Sequence, residues 1–160
     1  MHGTRRRFRL PGWISNDVLV VGRASPILCA GGADVKSIDS IYVAIGATWL
    51  LVGMILGLIM GATHNFQYQP LHAHINLVGF ACHCIFGLVY RCWPAMKSSR
   101  LAPIQFWIFV VATPVMLAGL AIIINGGAEL LTILGSIGVL GGAALFCLIV
   151  WAARLAEQAA

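Results

Sequence analysis

Four long apolar stretches divide the chain, at about 41–62, 71–93, 103–124 and 129–153, and its polar positions gather between them and ahead of the first. Each stretch reaches the roughly 20 residues that an α-helix needs to cross a hydrocarbon core about 30 Å thick. Asp39 and Ser40 precede the first as N-cap candidates. Pro70 suits a first helical turn, where its missing N–H is no loss, so the second helix is predicted from Leu71 onward. Pro114 predicts a kink within the third, and Asn125-Gly126-Gly127 a tight connection to the fourth. The pattern therefore predicts an all-α integral membrane domain over 39–160 with four transmembrane helices. Residues 1–38 sustain no hydrophobic period and are read as an N-terminal arm.

Composition agrees with lipid as the solvent: 60% of the 160 residues are hydrophobic and 9% charged, against about 25% charged in soluble domains. The net charge of +5 is an orientation signal rather than a sign of nucleic-acid binding, because the bases sit at particular ends of the apolar stretches. Arg5, Arg6, Arg7 and Arg9 lie in the arm, Arg91, Lys97 and Arg100 around the second connection, and Arg154 near the C-terminus, whereas 63–70 and 125–128 hold no Lys or Arg. By the positive-inside rule both termini are expected on the cytoplasmic side of a bacterial-type inner membrane. His64, His72 and His74 are then expected at the outer face. Thr4-Arg5-Arg6-Arg7-Phe8 resembles a twin-arginine export signal, but Arg23 and Pro26 interrupt the apolar region that should follow, which favours a polybasic cytoplasmic arm. The five cysteines (Cys29, Cys82, Cys84, Cys92, Cys147) form neither CxxC nor CxxCH, so no disulfide framework or covalent c-type haem is indicated.

Two glycine series recur every four residues, Gly53, Gly57 and Gly61 on the first helix and Gly138 and Gly142 on the fourth. Such faces let helices approach closely, either within one bundle or between subunits.

The candidate chemistry lies in His64, His72, His74 and His83, since ionisable groups in membrane spans are costly and usually functional. Two residues apart on an α-helix means about 200° of rotation, so His72 and His74 point in nearly opposite directions and do not grip one metal together. An extended His72-Ala73-His74 would instead place both rings on one side, toward copper or zinc, but Pro70 argues for a helix there. His83 lies eleven residues beyond His72, within roughly 20° of the same face and about 16 Å deeper, with Asn76 and Gly79 between them. Gly79 is either the place where a flat macrocycle approaches the backbone or a helix contact. His83 is a second haem ligand, a polar group in a cavity or a buried histidine bonded to a neighbour. Cys82 and Cys84 flank it at about 100° to either side and make no zinc site alone. Glu129 is placed to favour the N-terminus of the fourth helix, and Trp93, Trp107 and Trp151 form an interfacial belt. No phosphate loop, nucleophile elbow or zinc-protease motif is present.

The stretch Gln69-Pro70-Leu71-His72-Ala73-His74-Ile75-Asn76-Leu77-Val78-Gly79-Phe80, closing on Leu88-Val89-Tyr90-Arg91, resembles the haem–copper oxidase catalytic subunit and its nitric oxide reductase relatives, the cbb3-type branch in particular. The resemblance covers about 30 residues. It implies that His72 is a haem b ligand near the outer face of a descending helix, and that His72 and His74 serve two separate pockets. The oxidase subunit has twelve helices, three copper-ligating histidines and a histidine–tyrosine site, which four helices do not supply, so oxygen reduction by this chain alone is not implied. That subunit is built as three arcs of four helices, and a four-helix relative is expected to reproduce the plan as a homotrimer.

The reading is therefore a haem b-binding membrane protein for electron transfer or gas and redox sensing, with an unidentified redox partner. His72 and His74 are the iron ligands, Asn76 and Gly79 line the site, and His64 and His83 are further candidates. Two other readings stand beside it: a copper-handling or oxidase-assembly factor gathering metal on His64, His72 and His74, and a cofactor-free scaffold whose histidines are interfacial.

Overall fold

The computed structural model describes residues 38–158, apart from the side chain of residue 157; the arm with its arginines and Cys29, and residues 159–160, lie outside the described residues. Four long helices follow one another, α1 (Ile38–Thr63), α2 (Gln69–Cys92), α4 (Leu101–Ile124) and α5 (Leu130–Gln158), with a single turn, α3 (Pro94–Lys97), between the second and third. All four are long and apolar enough to cross a membrane. The described residues thus form an all-helical membrane domain of four spans, whose elements begin within three residues of the expected positions. One end of the bundle carries Arg91, Lys97 and Arg100 in and around α3, with Arg154 near the end of α5; the other carries the 64–68 and 125–129 connections. They are called here the basic end and the histidine end.

Local chemistry explains the breaks. Pro70 occupies the first turn of α2. At the other end of that helix Pro94 excludes the helical region for the residue before it, and Trp93 leaves the helix at φ −122°, ψ 83°. The end of α4 is closed by Gly126 at φ 80°, with Gly126 N donating to Ile123 O (2.8 Å) and Gly127 N to Ile122 O (2.9 Å). This is the paired-bond cap that needs a left-handed residue. Glu129 follows as the residue before α5, its carbonyl accepting from Ile133 N at 3.1 Å. Pro114 is accommodated inside α4, which runs unbroken from Leu101 to Ile124.

In lipid, apolar side chains gain little by leaving the solvent, so helix association depends on close packing around small residues. Along the α4–α5 seam a Cβ on Gly119 would strike Thr132, one on Gly135 would strike the backbone of Met116, one on Gly138 would lie 2.6 Å from Ala112 Cβ, and one on Gly142 3.0 Å from Phe109. Along the α1–α2 seam His72 fills the space over Gly57, Asn76 that over Gly53, and Cys84 that over Gly46, while Trp49 fills the space over Gly79. Four of the five repeated glycines are therefore spent on packing within one chain; only Gly61 meets nothing within 4 Å.

The α1–α2 seam also explains a departure from regular helix. Between Trp49 and Gly46 α1 advances three residues, while its partners Gly79 and Cys84 are five apart. Helix α2 absorbs the mismatch as a π-helical segment over Ile75–Cys82, which winds less per residue than an α-helix. Counting in α-helical steps from His72 to His83 consequently fails: His72 faces α1, whereas His83 is turned between α1 and α4, with ring contacts to Tyr42 and Phe109.

The aromatic core, Tyr42, Phe86, Tyr90, Phe106, Phe109 and Phe146, lies toward the basic end, and a smaller cluster of Ile75, Met116 and Leu117 lies toward the histidine end. The Phe86 and Phe146 rings stack at 4.0 Å, joining α2 to α5. Because α4 and α5 touch at backbone distance, Gly135→Leu is expected to destabilise the bundle by about 1–3 kcal/mol, the usual cost of overpacking. Gly141→Leu is expected to be neutral, since nothing lies within 4 Å of it. Unfolding of the two variants in mild detergent tests the contrast.

Candidate functional site

At the histidine end the two connections are tied together, Gln67 Nε2 donating to Ile124 O (3.1 Å) and Tyr68 OH to Asn125 Oδ1 (3.0 Å). His64 sits in the first of them, exposed and at φ 52°, and among the described residues its ring makes no hydrogen bond like those of His72, His74 and His83.

His72 is half-buried on the α1 side of α2. Its Nδ1 lies 3.0 Å from the Gly53 carbonyl oxygen. A carbonyl only accepts, so Nδ1 carries the proton and Nε2 carries the lone pair. The ring fits there because Gly57 has no side chain: a Cβ would sit 2.9 Å from the ring carbon between the two nitrogens. Asn76, one turn on, donates its amide to the His72 carbonyl (2.9 Å) and has the same nitrogen 3.3 Å from His72 Nε2. His74 is exposed on the opposite side of α2, and its Nδ1 lies 2.8 Å from Pro70 O, which by the same reasoning leaves Nε2 as its free atom. The first turns of α2 are α-helical, and the opposed directions expected of His72 and His74 hold.

His83 follows the same rule in a different setting. Its Nδ1 donates to Val78 O at 3.0 Å, five residues back in the π-helical segment. The side chain is wholly buried and its Nε2 has no hydrogen-bond partner among the described residues. Tyr42 stands edge-on to the ring at 5.6 Å between centroids and Phe109 at 5.0 Å, so aromatic rings from α1 and α4 flank it. Gly79, covered by Trp49, belongs to helix packing.

Three histidines in the span thus share one arrangement: Nδ1–H held by a backbone carbonyl and Nε2 presented. Metal-binding histidines are oriented by this kind of partner, which fixes the ring and makes the ligating nitrogen more basic. Among the described residues no group of three or more His, Cys, Asp or Glu side chains converges to hold a metal ion, and His64, His72 and His74 are not brought together as such a group. Cys84 packs its sulfur over Gly46.

The sequence reading missed a second polar cluster, toward the basic end. Tyr42 OH (2.9 Å) and Tyr90 OH (3.1 Å) both donate to Gln105 Oε1, and all three side chains are 0% exposed. Nearer the surface Lys97 Nζ pairs with Asp39 Oδ1 at 3.1 Å. A glutamine inside an apolar span is itself the signal for such a site, because its amide needs partners that lipid does not offer. No protein-family profile, curated protein or solved structure matches the chain.

Proposed function

We propose that this chain is a haem b-binding membrane protein, a small relative of the haem–copper oxidase catalytic subunit, in which His72 supplies an axial imidazole for electron transfer or for gas and redox sensing. The observation that carries the reading is the seating of His72: Nδ1–H fixed on the Gly53 carbonyl, the ring admitted by Gly57, and the lone pair left on Nε2. A lone interfacial histidine needs none of these supports. Haem, when bound, supplies a one-electron couple and, with one face open, a place for a diatomic gas. The chain's own part is to hold the Nε2 lone pair in a fixed direction, to strengthen it through the carbonyl partner, and to keep water away with aliphatic side chains.

His74, its Nε2 free on the opposite side of α2, is the second ligand in this proposal, contributed by a neighbouring subunit of a homotrimer. The test is colour. Protein purified from a haem-replete host is expected to show a Soret band, with reduced bands insensitive to carbon monoxide if both histidines ligate; a colourless preparation overturns the reading. One observation favours a cofactor-free bundle instead, the approach of the Asn76 amide to His72 Nε2 at 3.3 Å, which already gives that nitrogen a partner. In that case Asn76 and His72 are an interhelical clasp, and the preparation stays colourless while the fold stays intact.

The orientation follows from charge. The basic end is assigned to the cytoplasm and the histidine end to the outer face of a bacterial-type inner membrane. In a cysteine-free background, cysteines placed at the exposed positions Gln67 and Ser98 are expected to react with an impermeant thiol reagent from outside and only after permeabilisation, respectively. The reverse pattern would put the histidines on the cytoplasmic side.

A further inference from the structure

The buried atoms left without a hydrogen-bond partner among the described residues include His83 Nε2 and Gln105 Nε2. They are chemically complementary. With Nδ1–H committed to Val78 O, His83 Nε2 is an acceptor, whereas the Gln105 amide nitrogen is a donor whose oxygen already accepts from Tyr42 and Tyr90. Both groups adjoin Tyr42, His83 through its ring and Gln105 through the tyrosine hydroxyl. Gln105 also lies one helical turn from Phe109, the other ring against His83. A ligand that satisfies both atoms must accept from an amide and donate to an imidazole among the rings of Tyr42 and Phe109. Water does this, and buried waters characteristically bridge otherwise unsatisfied polar groups.

We propose that Gln105 Nε2 and His83 Nε2 hold one internal water, and that this water makes His83 an intramembrane proton acceptor in exchange with the basic end of the bundle. The water gives a proton to His83 Nε2, forming an imidazolium whose two N–H groups donate to Val78 O and to the water oxygen; the water regains its proton from bulk solvent. The return step reverses this, so no other reactant is consumed.

Access from the basic end follows from where the polar groups lie. Tyr42 and Asp39 are one turn apart on α1, Tyr90 lies two turns beyond His83 on α2, and the half-exposed Lys97 reaches Asp39. Toward the histidine end an apolar cluster, Ile75, Met116 and Leu117 with Trp49, Leu56, Leu71 and Val78, lies beside the His72–Asn76 pair, whose polar atoms are turned to the Gly53 carbonyl and to one another. Among the described residues Tyr42 from α1 is in ring contact with His83, Cys82 and Cys84 adjoin it on α2, Tyr90 lies two turns along α2, and the hydroxyl of Thr113, one turn from Phe109 on α4, is committed to Phe109 O at 2.8 Å.

The test uses the full chain in phospholipid vesicles, labelled with 15N at histidine, and does not depend on haem. In solid-state NMR, magnetisation transferred from water is expected to reach the His83 ring, assigned by its loss in His83→Gln, and in acidic deuterated buffer the proton taken up at His83 Nε2 is expected to exchange. Gln105→Leu should abolish the water transfer and slow exchange by about tenfold or more, the order expected from losing one hydrogen bond to the water. Tyr90→Phe, which leaves the amide nitrogen in place, should retain both. A wild-type ring that receives no magnetisation from water, or unchanged exchange in a folded Gln105→Leu protein, overturns the proposal. The wild-type measurement decides even if the leucine variant does not fold.

Discussion

His72→Ala is expected to lower the haem content of the purified chain by at least about tenfold, the lower bound of what even an indirect partner of a ligand costs. His83→Ala is expected to leave most of the haem in place. The difference follows from where each Nε2 lies. His72 is half-buried in the α1–α2 groove at the histidine end, its Nε2 3.3 Å from the Asn76 amide nitrogen, whereas His83 is wholly buried among Tyr42, Phe109 and Val78. Loss of colour alone would not separate ligation from packing, because the His72 ring also fills the space over Gly57. Free imidazole supplies the separation. It should restore the Soret band to His72→Ala if the residue is a ligand and leave the variant colourless if the ring is only a spacer. Equal haem content and equal spectra in wild type and His72→Ala would defeat the assignment.

The four spans were legible because each apolar run exceeds the hydrocarbon thickness, and its ends are marked by residues with local effects: Pro70, Pro94, Gly126 and Glu129. The opposition of His72 and His74 was also legible, because the first turns of α2 are α-helical. What lay deeper was not. A uniform rotation per residue set His83 on the His72 face, and the π-helical segment over Ile75–Cys82 invalidates that step. The cause lies in α1, whose Gly46 and Trp49 demand partners five residues apart on α2, and no reading of α2 by itself contains it.

The glycines teach the same lesson from the other side. Gly53 and Gly57 repeat every four residues, and so do His72 and Asn76, on a neighbour running the opposite way. The two repeats are one feature, a polar pair seated in a glycine groove, and reading them separately hid it. Tyr42, Tyr90 and Gln105 escaped because only ionisable groups were weighed as costly in lipid. Their three side chains come from α1, α2 and α4, and each satisfies another only after the helices assemble.

Mixing two inactive variants is expected to recover haem sites, which neither variant can do alone. Within one chain His72 and His74 address opposite sides of α2, so one iron between them requires two chains. On the proposed reading, a closed cyclic trimer would bring each His72 groove against the α2 surface of the next subunit and make three equivalent haem sites. The exposed side of α2 that carries His74 continues through Leu77, Ile85 and Leu88. That aliphatic stripe, rather than the glycines already filled within each chain, is then the contact surface. Each single variant, His72→Ala or His74→Ala, removes one ligand from every interface and should weaken the haem-dependent trimer, because the site exists only in the assembly. Co-assembled at equal amounts, an intact site needs a subunit retaining His72 beside one retaining His74, which random mixing places at about a quarter of the interfaces of a cyclic ring. Native mass spectrometry of the mixture should therefore show trimers carrying six-coordinate haem at roughly that occupancy. A haem-loaded monomer, or a mixture no better than its components, would instead locate the iron within a single chain.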